Sequence, residues 1–331
     1  MSGRVDAVVV NRIAREAFDV LRDVDPRLNV TDASDLTRLE RNGDTSRSKE
    51  LDEILGVAEV VYALKLPERL LDRAPRLRWI QTISTGVDKI LTRELAESRV
   101  TVTNMSGIHE MTIAEYVLMV MLMFVKQMPR SFYQQIEGRW KWYPVDVLEG
   151  KTVGIVGLGR IGREVARVCK LFNMRVVATH RSAVEGETAD RVDTVYPLAR
   201  LHNLLGETDF VVLALPLTAE SAGLVGEPEL RAMKPSARII NVARGEIIDE
   251  PVLVRALQEG WIAGAGLDVY TDEPLSPDSP LRHMENVVFT PHVAGDLERY
   301  DMMAAAFFAQ NLRRYLDDEP LLNVVDKTRG Y

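Results

Sequence analysis

Short apolar runs, spaced by segments of helical periodicity, set the pattern of this chain. In its first third the runs 5–10, 28–31, 57–64, 77–83 and 100–103 predict strands. They are nearly continuous in hydrophobicity rather than alternating, as befits strands buried on both faces of a parallel sheet. Between them, 13–24 lines up Ile13, Ala17, Val20 and Leu21 on one helical face. The polar stretch 37–51 predicts a helix with a loop, and 67–73 a helix that opens on Pro67, a residue favoured in the first turn. Such alternation implies a small parallel α/β domain. A long helix follows over 113–125. It is apolar on nearly every side and rich in Met, so it is either buried core or buried against a second subunit. The alternation then resumes with stronger strands at 153–156, 175–179, 210–215, 238–242, 262–269 and 287–290. Helices are predicted over 161–171, 229–233, 251–259 and 302–316.

One junction in this pattern carries chemistry. The strand ending at Val156 runs into Gly157-Leu-Gly-Arg-Ile-Gly162, and helical spacing begins at once with Ile161, Val165, Val168 and Leu171. G-x-G-x-x-G between a strand and a helix is the dinucleotide fingerprint. The first glycine makes the turn, the second admits a pyrophosphate to the backbone, and the third lets helix and strand pack closely. The free N–H groups and positive end of the helix then hold the phosphates.

Composition narrows the class. With 331 residues there is room for two domains, and 46% hydrophobic content predicts a globular chain. A net charge of −8 argues against a nucleic-acid partner. One cysteine, Cys169, excludes an internal disulfide framework and suits a reducing, cytoplasmic setting. The longest apolar run, 116–125, is too short to span a bilayer, and 1–10 lead directly into a strand rather than a signal peptide. His109-Glu110 lacks the second histidine four residues on, so no metal site is expected.

A dinucleotide site usually places Asp or Glu at the end of its second strand to accept from the ribose 2′-hydroxyl. Here that strand leads into His180, Arg181 and Ser182, all donors. A guanidinium there suits a 2′-phosphate, which favours NADP(H); alternatively Arg181 stacks on the adenine and NAD binds. Three polar residues follow later strands: Arg244, Glu273 and His292. Reducing a 2-oxo acid needs a fixed cation for the carboxylate and carbonyl, which suits Arg244, and a proton donor, which suits His292. Glu273 would orient the imidazole and favour its protonated form. Ser84, Thr85 and Gly86, just past a strand, either offer backbone N–H groups to an anion or form an ordinary turn. The aromatic patch 137–143, with Trp140 and Trp142, is either packing or part of a substrate pocket.

Taken together, Gly157-Leu-Gly-Arg-Ile-Gly162, Leu213-Ala-Leu-Pro-Leu-Thr218, Asn241-Val-Ala-Arg-Gly245, Gly266-Leu-Asp-Val-Tyr270 with Glu273-Pro274, and Thr290-Pro-His292 resemble the D-isomer-specific 2-hydroxyacid dehydrogenases, in that family's order and over essentially the whole chain. The resemblance implies an α/β fold of two doubly wound parallel-sheet domains, a Rossmann coenzyme domain and a flavodoxin-like substrate domain, with a cleft between. It implies a discontinuous substrate domain, 1–103 and 297–331, around a coenzyme domain over 104–296 with a dimerisation helix and arm near 111–145. Arg244, Glu273 and His292 match the catalytic residues, and Ser84 to Gly86 the substrate-carboxylate loop. Expected coenzyme contacts are Thr85, Thr112, Gly157, Leu158, Gly159, Arg160, Ile161, His180, Arg181, Ser182, Leu215, Pro216, Thr218, Val242, Ala243, Arg244, Asp268 and His292, with Asp268 on the nicotinamide side.

Trp140, Trp142 and Arg181 resemble the glyoxylate/hydroxypyruvate reductase branch, whose tryptophan reaches a partner's site. The expectation is therefore a homodimer that reduces a small 2-oxo acid to the D-2-hydroxy acid with NADP(H) or NAD(H). Two departures stand out: the missing acidic residue after the second strand, and 293–300 without the family's usual Thr or aromatic near Gly295. A non-catalytic, dinucleotide-sensing scaffold of the corepressor type shares the fold and the trio, and a phosphoglycerate dehydrogenase is the alternative among enzymes. Formate dehydrogenases pair their histidine with Gln, against which Glu273 argues.

Overall fold

The computed structural model describes residues 4–181, 183–184, 187 and 189–331. Its chain divides into two compact units, one made of residues up to Ile108 plus Leu297–Tyr331, the other of His109–Asp296.

The first unit holds β1 (Val5–Val9), α1 (Arg15–Arg22), β2 (Leu28–Asp32), α2 (Ser34–Arg41), α3 (Ser48–Val57), β3 (Val60–Ala63), α4 (Leu70–Arg73), β4 (Trp79–Thr82), α5 (Arg93–Glu97) and β5 (Thr101–Thr103). The strands form one parallel sheet in the order β2-β1-β3-β4-β5, the flavodoxin-like winding. The polar stretch 37–51, read as a helix with a loop, has helix on both sides of its loop. These are the end of α2 and the start of α3, parted where Asn42-Gly43-Asp44 turns the chain and Gly43 takes φ +85°. On one face the sheet is closed by the later helix of this unit, whose Phe308 stacks on Tyr62 at 4.5 Å and meets Trp79 edge-on at 5.3 Å. The last residues run beside β5, where the Val325 N–H donates to the Val102 carbonyl at 2.8 Å.

The second unit opens with α6 (Glu110–Val125) and α7 (Met128–Ile136) and continues β6 (Thr152–Val156), α8 (Arg160–Leu171), β7 (Arg175–Thr179), β8 (Thr194–Tyr196), α9 (Leu201–Glu207), β9 (Phe210–Leu213), α10 (Glu227–Ala232), β10 (Arg238–Asn241), α11 (Glu250–Gln258), β11 (Gly264–Leu267) and β12 (Val287–Phe289). The helix that returns to the first unit is α12 (Tyr300–Leu316). The seven strands are parallel in the order β12-β11-β10-β9-β6-β7-β8, a Rossmann winding with one strand added at the edge.

The Met-rich α6 buries Ile113, Tyr116, Val117, Val120, Met121 and Phe124 and packs on α8 and the sheet. Small residues on β11 permit this. A Cβ on Gly266 would lie 2.4 Å from Val120 Cγ1, so the helix sits in contact with the bare backbone of that strand. No single helix among the described residues is long and apolar enough to cross a membrane.

Candidate active site

The glycine loop takes the shape its residues dictate. Gly157 has φ +103°, and a side chain there would strike the Ala214 carbonyl at 2.6 Å. Gly162 faces the Gly157 carbonyl, which an added Cβ would approach to 2.2 Å. Among the described residues Gly159 has nothing within 4 Å of that position, so open space lies over its backbone. It is the N-cap of α8 and carries no side-chain cap, which leaves the first N–H groups of a twelve-residue helix facing that space. Room for a phosphate, uncapped donors and the positive helix end fit a dinucleotide pyrophosphate. Leu158 is buried, whereas Arg160 is exposed and Ile161 partly so.

Around this loop the neighbouring turns are tied down. Thr179 closes β7: its carbonyl accepts from Leu158 N–H at 3.1 Å and its hydroxyl from Gly157 N–H at 3.3 Å. His180 and Arg181 follow on the surface, and Ser182 lies outside the described residues. Leu215, Pro216 and Thr218 form a turn after β9 built around the buried Ser221. The Ser221 hydroxyl donates to the Pro216 carbonyl at 2.7 Å and accepts from Thr218 N–H at 2.8 Å. That serine gave no sequence signal beyond a hydroxyl three residues after Thr218. Thr112 is partly buried in the first turn of α6.

Arg244 follows β10 after Val242 and Ala243, both buried. The Asn241 side chain sets this turn: it donates to the Arg244 carbonyl at 2.8 Å and accepts from Ala243 N–H at 3.0 Å. Arg244 donates to the Ala243 carbonyl at 2.7 Å and is partly buried. Gly245 brings this loop onto the next. A Cβ there would lie 1.9 Å from the Tyr270 carbonyl carbon, so the backbones of Gly245 and Tyr270 are in direct contact.

Glu273 lies three residues beyond Tyr270. Its carboxylate accepts from Tyr270 N–H at 3.2 Å and meets His292 Nδ1 at 3.0 and 2.9 Å through its two oxygens. This contact assigns a proton to Nδ1 and leaves Nε2 as the atom that exchanges one. His292 itself has φ +57°, the left-handed region, which costs a non-glycine residue about 1–3 kcal/mol. The surrounding loop offsets that cost. Asp268, only 2% exposed at the end of β11, accepts from Val293 N–H at 2.8 Å, Ala294 N–H at 2.9 Å and the Thr290 hydroxyl at 2.6 Å. Hydrogen bonds to a charged group contribute about 1.5–3 kcal/mol each, enough to hold the turn. Asp268, expected on the nicotinamide side, thus has both oxygens engaged by the His292 loop. Tyr116, in α6, was missed as anything but core: its hydroxyl lies 2.7 Å from Thr290 Oγ1.

In the first unit, the Ser84 hydroxyl donates to the Gly86 carbonyl at 2.7 Å and the Thr85 hydroxyl to the Met105 carbonyl at 3.3 Å. The loop spends its hydroxyls on its own shape, so what it can offer an anion is its backbone amides. Trp140 and Trp142 lie on an arm after α7. Polar bonds pin that arm, Lys141 N–H to Gln134 at 2.7 Å and Asp146 N–H to the Val125 carbonyl at 2.8 Å. The two indoles are 102% and 82% exposed, so the described residues leave them almost wholly uncovered.

Comparison with known proteins places this geometry. Residues 118–294 match the NAD binding domain of the D-isomer specific 2-hydroxyacid dehydrogenases. The chain is 36% identical over 264 residues to a glyoxylate reductase of Korarchaeum cryptofilum, covering 78% of this chain and 79% of that one. An NADPH-dependent glyoxylate/hydroxypyruvate reductase of Sinorhizobium meliloti, solved with NADP and sulfate, superposes with a TM-score of 0.84 at 27% identity, over 99% of this chain and 100% of that one. A D-isomer specific 2-hydroxyacid dehydrogenase of Xanthobacter autotrophicus, solved with NADPH and MES, gives the same TM-score at 30% identity and full coverage of both chains. With its Rossmann sheet, its glycine loop and these relatives, the chain belongs to the D-isomer specific 2-hydroxyacid dehydrogenase family, whose dinucleotide is a nicotinamide coenzyme.

Proposed function

We propose that this protein reduces a small 2-oxo acid of the glyoxylate or hydroxypyruvate type to the D-2-hydroxy acid, with NADPH preferred over NADH. The observation that carries the reading is the bond from His292 Nδ1 to Glu273, on a loop fixed by a buried carboxylate. Glu273 holds the ring so that Nε2 delivers a proton to the developing alkoxide and, in reverse, removes it. Arg244 binds the substrate carboxylate and polarises the carbonyl, since its charge is permanent and its planar fork matches a carboxylate. The bound coenzyme supplies the hydride. The Ser84–Gly86 loop of the first unit offers its backbone amides to an anion.

The relatives from Korarchaeum and Sinorhizobium support the substrate class, and the latter, with Arg181 here, supports the coenzyme preference. We further propose a homodimer that covers the arm carrying Trp140 and Trp142.

The test is His292→Gln, assayed across a panel of 2-oxo acids with both coenzymes. It is expected to lower kcat by roughly 10²–10⁴-fold, the scale of general acid catalysis, while coenzyme binding is kept. Undiminished turnover would remove His292 as the proton donor, and a wild-type protein inert toward the whole panel would remove the reductase.

A further inference from the structure

Two polar side chains of α6 have no task in the mechanism above, His109 at the N-cap and Tyr116. Seven residues make close to two helical turns, so both leave the helix on one face. Both end on the segment that carries His292. His109 Nδ1 lies 2.9 Å from the Gly295 carbonyl, and the Tyr116 hydroxyl 2.7 Å from Thr290 Oγ1. A carbonyl only accepts, so His109 donates there whether its ring is neutral or charged. Thr290 has a single hydroxyl proton, which goes to Asp268 at 2.6 Å, so the phenol is the donor to Thr290.

A directed chain therefore runs from Tyr116 through Thr290 to the carboxylate that holds Val293 and Ala294 N–H. At the other end the contact is tight: a Cβ on Gly295 would lie 3.1 Å from His109 Nδ1. The close seat of α6 over Gly266 brings its polar face within reach of that segment.

We propose that α6 acts as a splint for the proton donor, with His109 and Tyr116 as positioning residues that clamp 290–295 at its two ends and so fix the His292 imidazole. This rests on the reading of His292 given above, and the experiment separates the two. Tyr116→Phe and His109→Ala each delete one clamp, and His109→Asn returns an N–H donor near the Nδ1 position. Thr290→Val and Thr290→Ser break and keep the same chain where Tyr116→Phe fails to fold. The chain has five histidines, so its imidazole proton spectrum is simple, and His292→Gln identifies the His292 signal.

Tyr116→Phe, His109→Ala and Thr290→Val are expected to shift or broaden that signal in coenzyme-free protein. They are also expected to lower kcat roughly five- to tenfold, the size of one neutral hydrogen bond read through a rate, with KM and the dissociation constants of NADPH and NADH unchanged. His109→Asn and Thr290→Ser are expected to recover most of both effects. An unmoved His292 signal overturns the proposal, whether or not kcat falls, and so does a failure of His109→Asn to improve on His109→Ala. If His292→Gln turns over normally, the mechanism fails, while the His292 signal still decides whether α6 positions the ring.

Discussion

Arg181 tests how far one side chain sets coenzyme choice. It follows the buried Thr179 and the exposed His180, at the strand end where a dinucleotide site usually places an Asp or Glu for the ribose 2′-hydroxyl. On the proposed reading its guanidinium meets a 2′-phosphate. Arg181→Ala is then expected to raise the dissociation constant of NADPH about 10–100-fold, the effect of one charge-assisted bond, and to leave NADH nearly unchanged. Coenzyme titrations by fluorescence check this, and equal weakening of both would instead favour stacking on the adenine. At this scale the sequence is readable where a residue type is itself unusual. Arg244, Glu273 and His292 stand out because each is polar just beyond an apolar run. Tyr116 and Ser221 do not, because a hydroxyl among apolar neighbours reveals nothing until packing decides what it meets. Asp268 shows the same limit: its place at a strand's end marks it out, but only packing reveals that it also holds Val293 and Ala294 N–H.

Among the elements, β11 and α6 set each other's positions. Gly266 takes part in the family resemblance as one letter of a motif, but its physical work is to let Val120 approach. Val is stiff at χ1 in a helix, so the clash in Gly266→Ala has no easy relief. That variant is expected to lose about 1–3 kcal/mol, the usual cost of overpacking, and Val120→Ala in the same chain is expected to return part of it. Denaturant melts of the single and double variants measure the coupling; strictly additive losses would mean the two sites do not touch. The buried strands and the Met-rich helix were legible as apolar runs, because elements covered on every side carry few polar residues. Three-residue β8 and five-residue α5 were not, since neither stands out as an apolar run or opens on a proline. The parting of α2 from α3 was signalled only by Gly43 within a uniformly polar stretch.

For the whole molecule, the apolar surface of the second unit is the feature still to be accounted for. Ile136, Trp140 and Trp142 are each more than 80% exposed, with Phe132, Tyr133, Val145 and Val147 also at the surface nearby in sequence. Exposed patches of this kind mark interfaces. Sedimentation is expected to give a dimer, and Trp140→Ala with Trp142→Ala is expected to shift it toward monomer without lowering the thermal midpoint of the isolated monomer. A wild-type protein that sediments as a monomer at micromolar concentration would end the proposal. The first unit draws its core from both ends of the chain: Tyr62 and Trp79 wait for Phe308, and β5 for Val325. During synthesis the ribosome must therefore deliver all of His109–Asp296 before that core can close. The nascent protein holds its earliest strands open, with their aromatic residues unshielded, while the later-made coenzyme unit is already free to fold.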